Sequence, residues 1–137
     1  MEFVNKVFIY GNNKQSQKIL DQIDYVEHLG AGETTDDFNM VNLGGYPGII
    51  YNSDIKYKIL GDVYTVTRQQ LKDLDQLKGE GVIFDRILEQ IFLVQNNPRR
   101  NGTLIQAWVY ILQELPPIYD YSNIFLTKKN YLSYERI

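Results

Sequence analysis

The chain has 137 residues, of which 44% are hydrophobic and 13% aromatic, so it can bury the core of one domain and is not expected to be disordered. Its 14 basic and 17 acidic residues give a net charge of −3 without long blocks of one sign, which argues against nucleic-acid binding as the main activity. Cysteine is absent and His28 is the single histidine, so thiol chemistry and a cysteine-based or histidine-rich metal site are excluded.

The predicted elements begin with a strand over residues 3–10, rich in β-branched and aromatic residues, which ends at Gly11. Ile19, Leu20 and Ile23 recur at helical spacing and indicate a short helix or helical turn. Glycine-rich residues 25–51 favour short strands joined by tight turns. Residues 56–66 predict a further strand that runs through Gly61. No segment reaches the length of a membrane span, so we expect a cytoplasmic protein with no membrane partner.

A helix is predicted after Thr67, which is placed to cap it. Leu71, Leu74 and Leu77 form its apolar face, and Gly79 is placed to end it.

Two more strands are predicted over residues 84–95 and 103–113, and the polar turn between them favours antiparallel pairing. Pro116 and Pro117 close a domain predicted over residues 1–117. Residues 118–137 are tyrosine-rich and too apolar for a free tail, so we expect this C-terminal extension to pack on the domain or on a partner. The pattern predicts an α+β fold with about six or seven strands, mostly in one curved sheet or small mixed β-barrel, and one or two helices.

Five separated segments resemble, in order, the pattern of the γ-glutamylcyclotransferase-like (AIG2-like) superfamily. They are VFIYG (7–11), YPGI (46–49), GDVYTV (61–66), LDQLKG with FDR (74–86) and AWVYIL (107–112). The family counterparts are V-F-x-Y-G, P-G-I, G-E-V-Y, L-D-x-x-E-G with Y-x-R, and A-x-V-Y. Each motif is short, and their common order and spacing over residues 5–113 carry the resemblance.

The resemblance implies a small mixed β-barrel with a cavity at one mouth and a reaction that needs no cofactor or metal. In family enzymes the free α-amine of a γ-glutamyl group attacks its own side-chain amide carbonyl, which releases an amine and 5-oxoproline. A carboxylate from L-D-x-x-E-G acts as the general base, and the Y-G loop supplies backbone donors. The candidate ligand-binding residues implied are Tyr10, Gly11, Asn12, Asn13, Tyr46, Pro47, Gly48, Lys78 and Arg86.

Lys78 is the main departure from the family pattern. Aligning Leu74 and Asp75 with the family's L-D places Lys78 at the catalytic glutamate, and Phe84 and Arg86 follow at the spacing of Y-x-R. Lysine could replace the base only if its pKa were lowered by about three units. Glu80, two residues further on, is therefore the candidate catalytic carboxylate.

The other candidates have structural interpretations as well. Asn12 and Asn13 replace the family's Thr-Leu or Ser-Asn after Gly11, which weakens the expectation of turnover more than that of binding. Tyr46, Pro47 and Gly48 are explained by a fixed turn. Arg86 can pair with Asp75 or reach an anionic ligand.

Three functions remain open from sequence. The first is a catalytically degenerate family member, a pseudoenzyme, that binds a small polar or anionic metabolite in the barrel-mouth pocket, with sequestration as one use. The second is an active γ-glutamylcyclotransferase with Glu80 as its base. The third is a protein-interaction module in which residues 118–137 bind a partner or a second copy of the chain.

Overall fold

Nine strands and one helix are defined in a computed structural model that describes residues 5–11, 27–51, 57–94, 102–126 and 131–134. The short helix predicted near Ile19 to Ile23 falls outside these residues. In chain order the elements are β1 (Asn5–Ile9), β2 (Glu27–Thr34), β3 (Phe38–Asn42), β4 (Pro47–Tyr51), β5 (Lys58–Val66), α1 (Arg68–Lys78), β6 (Phe84–Leu93), β7 (Thr103–Leu112), β8 (Ile124–Leu126) and β9 (Tyr131–Tyr134).

Five of these strands close a barrel in the order β1, β5, β2, β6 and β7. β1 closes the ring because it pairs antiparallel with β5 and parallel with β7. β6 and β7 pair antiparallel from Phe84 opposite Leu112 to Leu93 opposite Thr103, which confirms the predicted pairing. The α+β barrel prediction is therefore confirmed.

Two hairpins extend the barrel and account for the strands beyond the expected six or seven. The β3–β4 hairpin joins β7 through a parallel contact of Ile49 with Ile111. The β8–β9 hairpin joins β5 through parallel pairing that places Lys58 opposite Tyr131. Residues 118–137 thus supply two strands where the sequence pattern predicted only a packed segment.

Alternation along the barrel strands separates two apolar layers. Phe8, Val63 and Val109 belong to the inner layer. Val7, Leu74 and Tyr110 belong to a second layer, which lies between the barrel wall and α1. The helix therefore packs on the outside of the barrel and brings its C-terminal turn against the start of β6.

α1 begins and ends where its sequence predicts. The Thr67 hydroxyl accepts a hydrogen bond from the Gln70 amide, and the Gln70 side chain accepts one from the Thr67 amide, which completes a capping box. Gly79 ends the helix in the left-handed conformation, at φ +62°. Leu71 and Leu74 are buried, whereas Leu77 is only partly buried. Among the described residues, no helix is both long and apolar enough to cross a membrane.

β9 contributes to the inner core of the barrel. Leu132 and Tyr134 are buried within the inner layer. The nearby side chains of Ile118, Tyr121 and Leu126 are exposed. The expectation that the C-terminal segment contacts a partner rests on these exposed side chains.

We predict that Leu132→Ala lowers the free energy of unfolding by about 2–5 kcal/mol, because it removes a buried side chain and leaves a cavity. Leu126→Ala, on the neighbouring strand but 54% exposed, is the matched control and should change stability by less than about 0.5 kcal/mol. Urea denaturation measures both. Equal effects of the two substitutions would contradict the placement of β9 in the core.

Candidate functional site

The Tyr10 side chain is buried and its hydroxyl is used within the protein. It donates a hydrogen bond to the carbonyl oxygen of Tyr110 and accepts one from the amide of Ile49 at 3.4 Å. Burial raises the pKa of this hydroxyl far above its usual range, so it stays protonated. Tyr10 therefore holds the end of β1 in place, and its hydroxyl is occupied by contacts within the protein.

Gly11 brings the Y-G loop against the start of β4. Its φ of +85° favours glycine, and a Cβ at this position would lie 2.5 Å from Pro47 Cγ and 3.3 Å from Tyr134 Cδ1. The Tyr134 hydroxyl is buried and lacks a hydrogen-bond partner among the described residues. Gly11 and Pro47 are thus in contact. Asn12 and Asn13 lie outside the described residues.

Tyr46 borders an apolar groove, and Gly48 lies behind it. A Cβ on Gly48 would lie 2.7 Å from Leu112 Cδ1 and 2.8 Å from Leu43 Cδ1, so glycine fits here without a shift of either side chain. Tyr46 is partly exposed and lines the groove, which has a volume of about 340 Å³. The other lining residues are Leu43, Val82, Ile83, Leu112, Glu114, Pro116, Pro117 and Ile118. Neither Lys78 nor Glu80 lines this groove, although the turn containing Val82 follows them directly.

Lys78 is the last residue of α1, and its ammonium is partly buried. The Nζ atom lies 6.0 Å from the centroid of the Phe84 ring. Burial lowers the pKa of Lys78 to about 8. Its position in the last turn favours a cation, because the helix dipole places negative potential there. At pH 7 the side chain is still mostly protonated and therefore carries a positive charge.

The turn that carries Glu80 is held by hydrogen bonds on both sides. The amide of Glu80 donates to the carbonyl of Asp75 at 2.9 Å, and that of Gly79 donates to the carbonyl of Gln76 at 3.3 Å, the pattern of a Schellman motif. The amide of Gly81 donates to the carbonyl of Phe84 at 2.7 Å. The Glu80 side chain is exposed. Its backbone is therefore more tightly specified than a glycine-flanked position suggests from sequence.

Tyr110, Asp75 and Arg86 form a polar cluster beneath this turn. The Tyr110 hydroxyl donates to Asp75 Oδ1 at 2.7 Å, and Arg86 Nε lies 3.4 Å from the same oxygen. The Arg86 guanidinium also lies over the Trp108 ring, 4.5 Å from its centroid. Burial, then the hydrogen bond and charge of Asp75, raise the pKa of Tyr110, and the charge of Glu80 adds to this. The structure therefore contains the ion pair of Arg86 with Asp75 that the sequence offered as one interpretation.

Sequence reasoning missed Tyr110 as a member of this region. The alternation within AWVYIL places Trp108, Tyr110 and Leu112 on one face of β7, and that was the available signal. Tyr110 links the two halves of the candidate site. Its carbonyl accepts from Tyr10 beside the Y-G loop, and its hydroxyl donates to Asp75 beneath the turn of Lys78 and Glu80.

Solved structures share this barrel with its external helix. A crystal structure of an AIG2-like protein from Mus musculus has a TM-score of 0.70 and 22% identity, and the match covers 83% of this chain and 80% of the mouse chain. The solution structure of ytfP from Escherichia coli has a TM-score of 0.55 and 24% identity, and the match covers 84% of this chain and 88% of that chain. At these identities the likeness shows the fold.

The family follows from sequence comparison. The model of the family described as gamma-glutamyl cyclotransferase, AIG2-like, matches residues 7–131, and the chain belongs to this family. A Vibrio cholerae protein named "Putative gamma-glutamylcyclotransferase" is 30% identical over 109 residues, which cover 79% of this chain and 82% of that protein. A Methanocaldococcus jannaschii protein with the same description is 30% identical over 112 residues, covering 79% and 84%.

We predict that Lys78→Met raises the free energy of unfolding at pH 7 by about 2 kcal/mol, because it removes a partly buried charge. The folded-state pKa of about 8 lies below the unfolded value, so the unfolded chain binds more protons between these two values. The stability of the wild-type protein therefore rises with pH through this window. The advantage of Lys78→Met should shrink from pH 8 upwards.

Urea denaturation at pH 7 and near pH 10 measures this difference. Lys72→Met, on the same helix but exposed, is the control and should change stability by less than about 0.5 kcal/mol. A pH-independent difference between wild type and Lys78→Met would show that burial does not perturb Lys78.

Proposed function

We propose that this chain is a member of the γ-glutamylcyclotransferase family that lacks cyclotransferase turnover and binds a small polar or anionic metabolite at the barrel mouth, sequestering it. Lys78 is the observation that carries the proposal. Its ammonium is partly buried and mostly protonated at pH 7. The alignment of LDQLKG with the family's L-D-x-x-E-G motif assigns it the position of the general base.

The chemistry of the family reaction supports the loss of turnover. The α-amine of a γ-glutamyl substrate is protonated at pH 7 and must lose a proton before it attacks the amide. A protonated lysine cannot accept that proton, and it repels the substrate's ammonium group. Removal of a general base alone costs about 10²–10⁴-fold in rate.

The same features support binding. A partly buried ammonium attracts an anion more strongly than an exposed one, because water screens it less. The contact of Gly11 with Pro47 and the hydrogen-bonded turn after Lys78 fix the backbone on either side of Tyr110. A pre-ordered site loses less entropy when a ligand binds, and without turnover the ligand stays intact.

We predict that the wild-type protein releases no 5-oxoproline from γ-glutamyl amines or dipeptides. Lys78→Glu restores a carboxylate at the motif position, and should raise release at least about 100-fold above the background of the wild type. Mass spectrometry of the reaction mixture measures 5-oxoproline. Turnover by the wild-type protein would contradict the proposal.

Binding is tested in the same experiment series. Native mass spectrometry of protein purified from its own cells should show a retained small molecule, and glutamate, 5-oxoproline and γ-glutamyl dipeptides are tested by thermal shift. A ligand at 100 times its Kd stabilises the folded state by about 2.7 kcal/mol. Lys78→Gln should raise the apparent Kd obtained from the thermal shift about tenfold. Lys6→Gln removes an exposed charge and is the matched control, which should leave the apparent Kd unchanged. Absence of any retained molecule and of any shift would remove the support for binding.

A second candidate, an active cyclotransferase with Glu80 as its base, is favoured by one observation. The backbone of Glu80 is fixed by the Schellman motif, and its charge reaches the hydroxyl of Tyr110 in the polar cluster. A carboxylate aimed from this turn can therefore serve the same side of the barrel as position 78.

This candidate gives the opposite mutational pattern. Glu80→Gln should lower the rate of 5-oxoproline release by at least about 100-fold, because it removes the base. Lys78→Ala should leave release unchanged or raise it. The assay uses several γ-glutamyl amines with the wild-type protein as reference, and a lack of turnover with all of them would exclude Glu80 as a base.

A further inference from the structure

A basic groove lies on the outside of the barrel, against the N-terminal half of α1. It has a volume of about 230 Å³. The lining residues that matter here are Asn5, Arg68, Lys72, Asp75, Arg86 and Trp108. These residues come from β1, α1, β6 and β7, so the groove is built by the tertiary fold and is not a single exposed loop.

The charge of the basic groove is opposite to that of the whole protein. Three cations line it against the one carboxylate of Asp75, whereas the chain as a whole carries a net charge of −3. Arg68 and Lys72 are exposed, and neither forms an ion pair within the part of the chain that the structure describes. The groove therefore holds a local positive potential that the described residues do not neutralise.

One of these cations is in an unfavourable position on the helix. Arg68 is the first residue of α1, where the helix dipole disfavours a positive charge, and no acidic residue lies in the first turn. Lys72 follows four residues later on the same face, so the two cations repel each other, whereas Asp75, three residues after Lys72, attracts it. The charge of Arg68 therefore does not stabilise the helix and is available to a ligand.

Arg86 is oriented but not fully satisfied. Its guanidinium lies over the Trp108 ring, which fixes its plane. Its Nε atom is buried and has no hydrogen-bond partner among the described residues, because the 3.4 Å approach to Asp75 lacks hydrogen-bond geometry. The side chain as a whole is 23% exposed and lines the groove, so its charge acts there.

We propose that the basic groove binds the phosphate group of a small phosphorylated molecule, with Arg68, Lys72 and Arg86 as its cationic contacts. The groove is smaller than the roughly 300 Å³ at which drug-sized ligand pockets begin, so it suits one anionic group better than a whole metabolite. A dianionic phosphate matches the net charge of three cations and one carboxylate, and it suits the fork of arginine donors.

The basic groove shares Asp75 and Arg86 with the polar cluster beneath the turn of Lys78 and Glu80, whereas Arg68 and Lys72 belong to the groove alone. A rise of 1.5 Å per residue places Arg68 and Lys78 about 15 Å apart along the axis of α1. Binding in the basic groove therefore does not depend on the function proposed for Lys78, and the two sites are tested by different substitutions.

Trp108 gives a direct readout, because it is the single tryptophan of the chain and lines the groove. Inorganic phosphate is titrated into the full-length protein at constant ionic strength, with chloride and succinate as comparison anions, and tryptophan fluorescence is recorded. We expect a saturable change with phosphate in the millimolar range or below. Arg68→Gln and Lys72→Gln should each raise the apparent Kd about tenfold.

Lys6→Gln is the matched control, because it removes an exposed charge next to Asn5 on β1 without removing a groove residue. It should leave the titration unchanged. Melting curves confirm that each variant folds, and both groove variants should melt at or above the wild-type temperature because a repulsive pair is lost.

The proposal is overturned if phosphate causes no saturable change in fluorescence, if succinate binds as tightly as phosphate, or if Lys6→Gln weakens phosphate binding as much as the groove variants do. Loss of binding in Lys78→Gln but not in Arg68→Gln would place phosphate at the barrel mouth and would also overturn it.

Discussion

The hydroxyl of Tyr10 joins the three strands on which the candidate site depends. β7 has β1 as its neighbour at Trp108 but β4 at Ile111, so its partner changes along one edge. Where the neighbouring strand changes, some backbone N–H and C=O groups have no strand to pair with and need another hydrogen-bond partner. A buried group left without one costs about 1–3 kcal/mol. Tyr10 satisfies two of them, the carbonyl of Tyr110 and the amide of Ile49. The same contact holds the end of β1 so that Gly11 lies against Pro47.

Tyr110 carries this constraint to the other half of the site. Its backbone is fixed by β6 and by Tyr10, and its hydroxyl is fixed by Asp75 near the end of α1. Asp75 in turn lies near Arg86, and its carbonyl accepts the amide of Glu80. The positions of Lys78 and Glu80 relative to the Y-G loop thus depend on one buried tyrosine and on one helix end.

Local signals explain which elements were predictable from sequence. α1 carries its start at Thr67, its end at Gly79 and its apolar leucines within one short window, and of these only Leu77 is less buried than expected. The antiparallel β6 and β7 are adjacent in sequence and alternate regularly. The parallel contact of β9 with β5 joins Lys58 to Tyr131, and no local pattern specifies a pairing across so much chain.

The contacts of the candidate site likewise fall into those that could be predicted from sequence and those that could not. Asp75 and Arg86 could be paired from sequence, because they flank a single helix end. The contact of Tyr110 with Asp75 could not be, because it requires the register of β6 and β7 together with the docking of α1. The lowered pKa of Lys78 was likewise beyond sequence, since it arises from burial by neighbours that only the tertiary fold brings together.

The charge of residue 78 bears on the proposed function. A neutral side chain at this position would leave no charge to be buried. Lys78 instead keeps a charge whose burial lowers its pKa to about 8, so the folded state bears a desolvation cost at neutral pH. The helix dipole and the Phe84 ring offset only part of this cost. Under the proposed function, this cost is offset when an anionic ligand binds beside the Lys78 ammonium, an attraction that a neutral side chain could not supply.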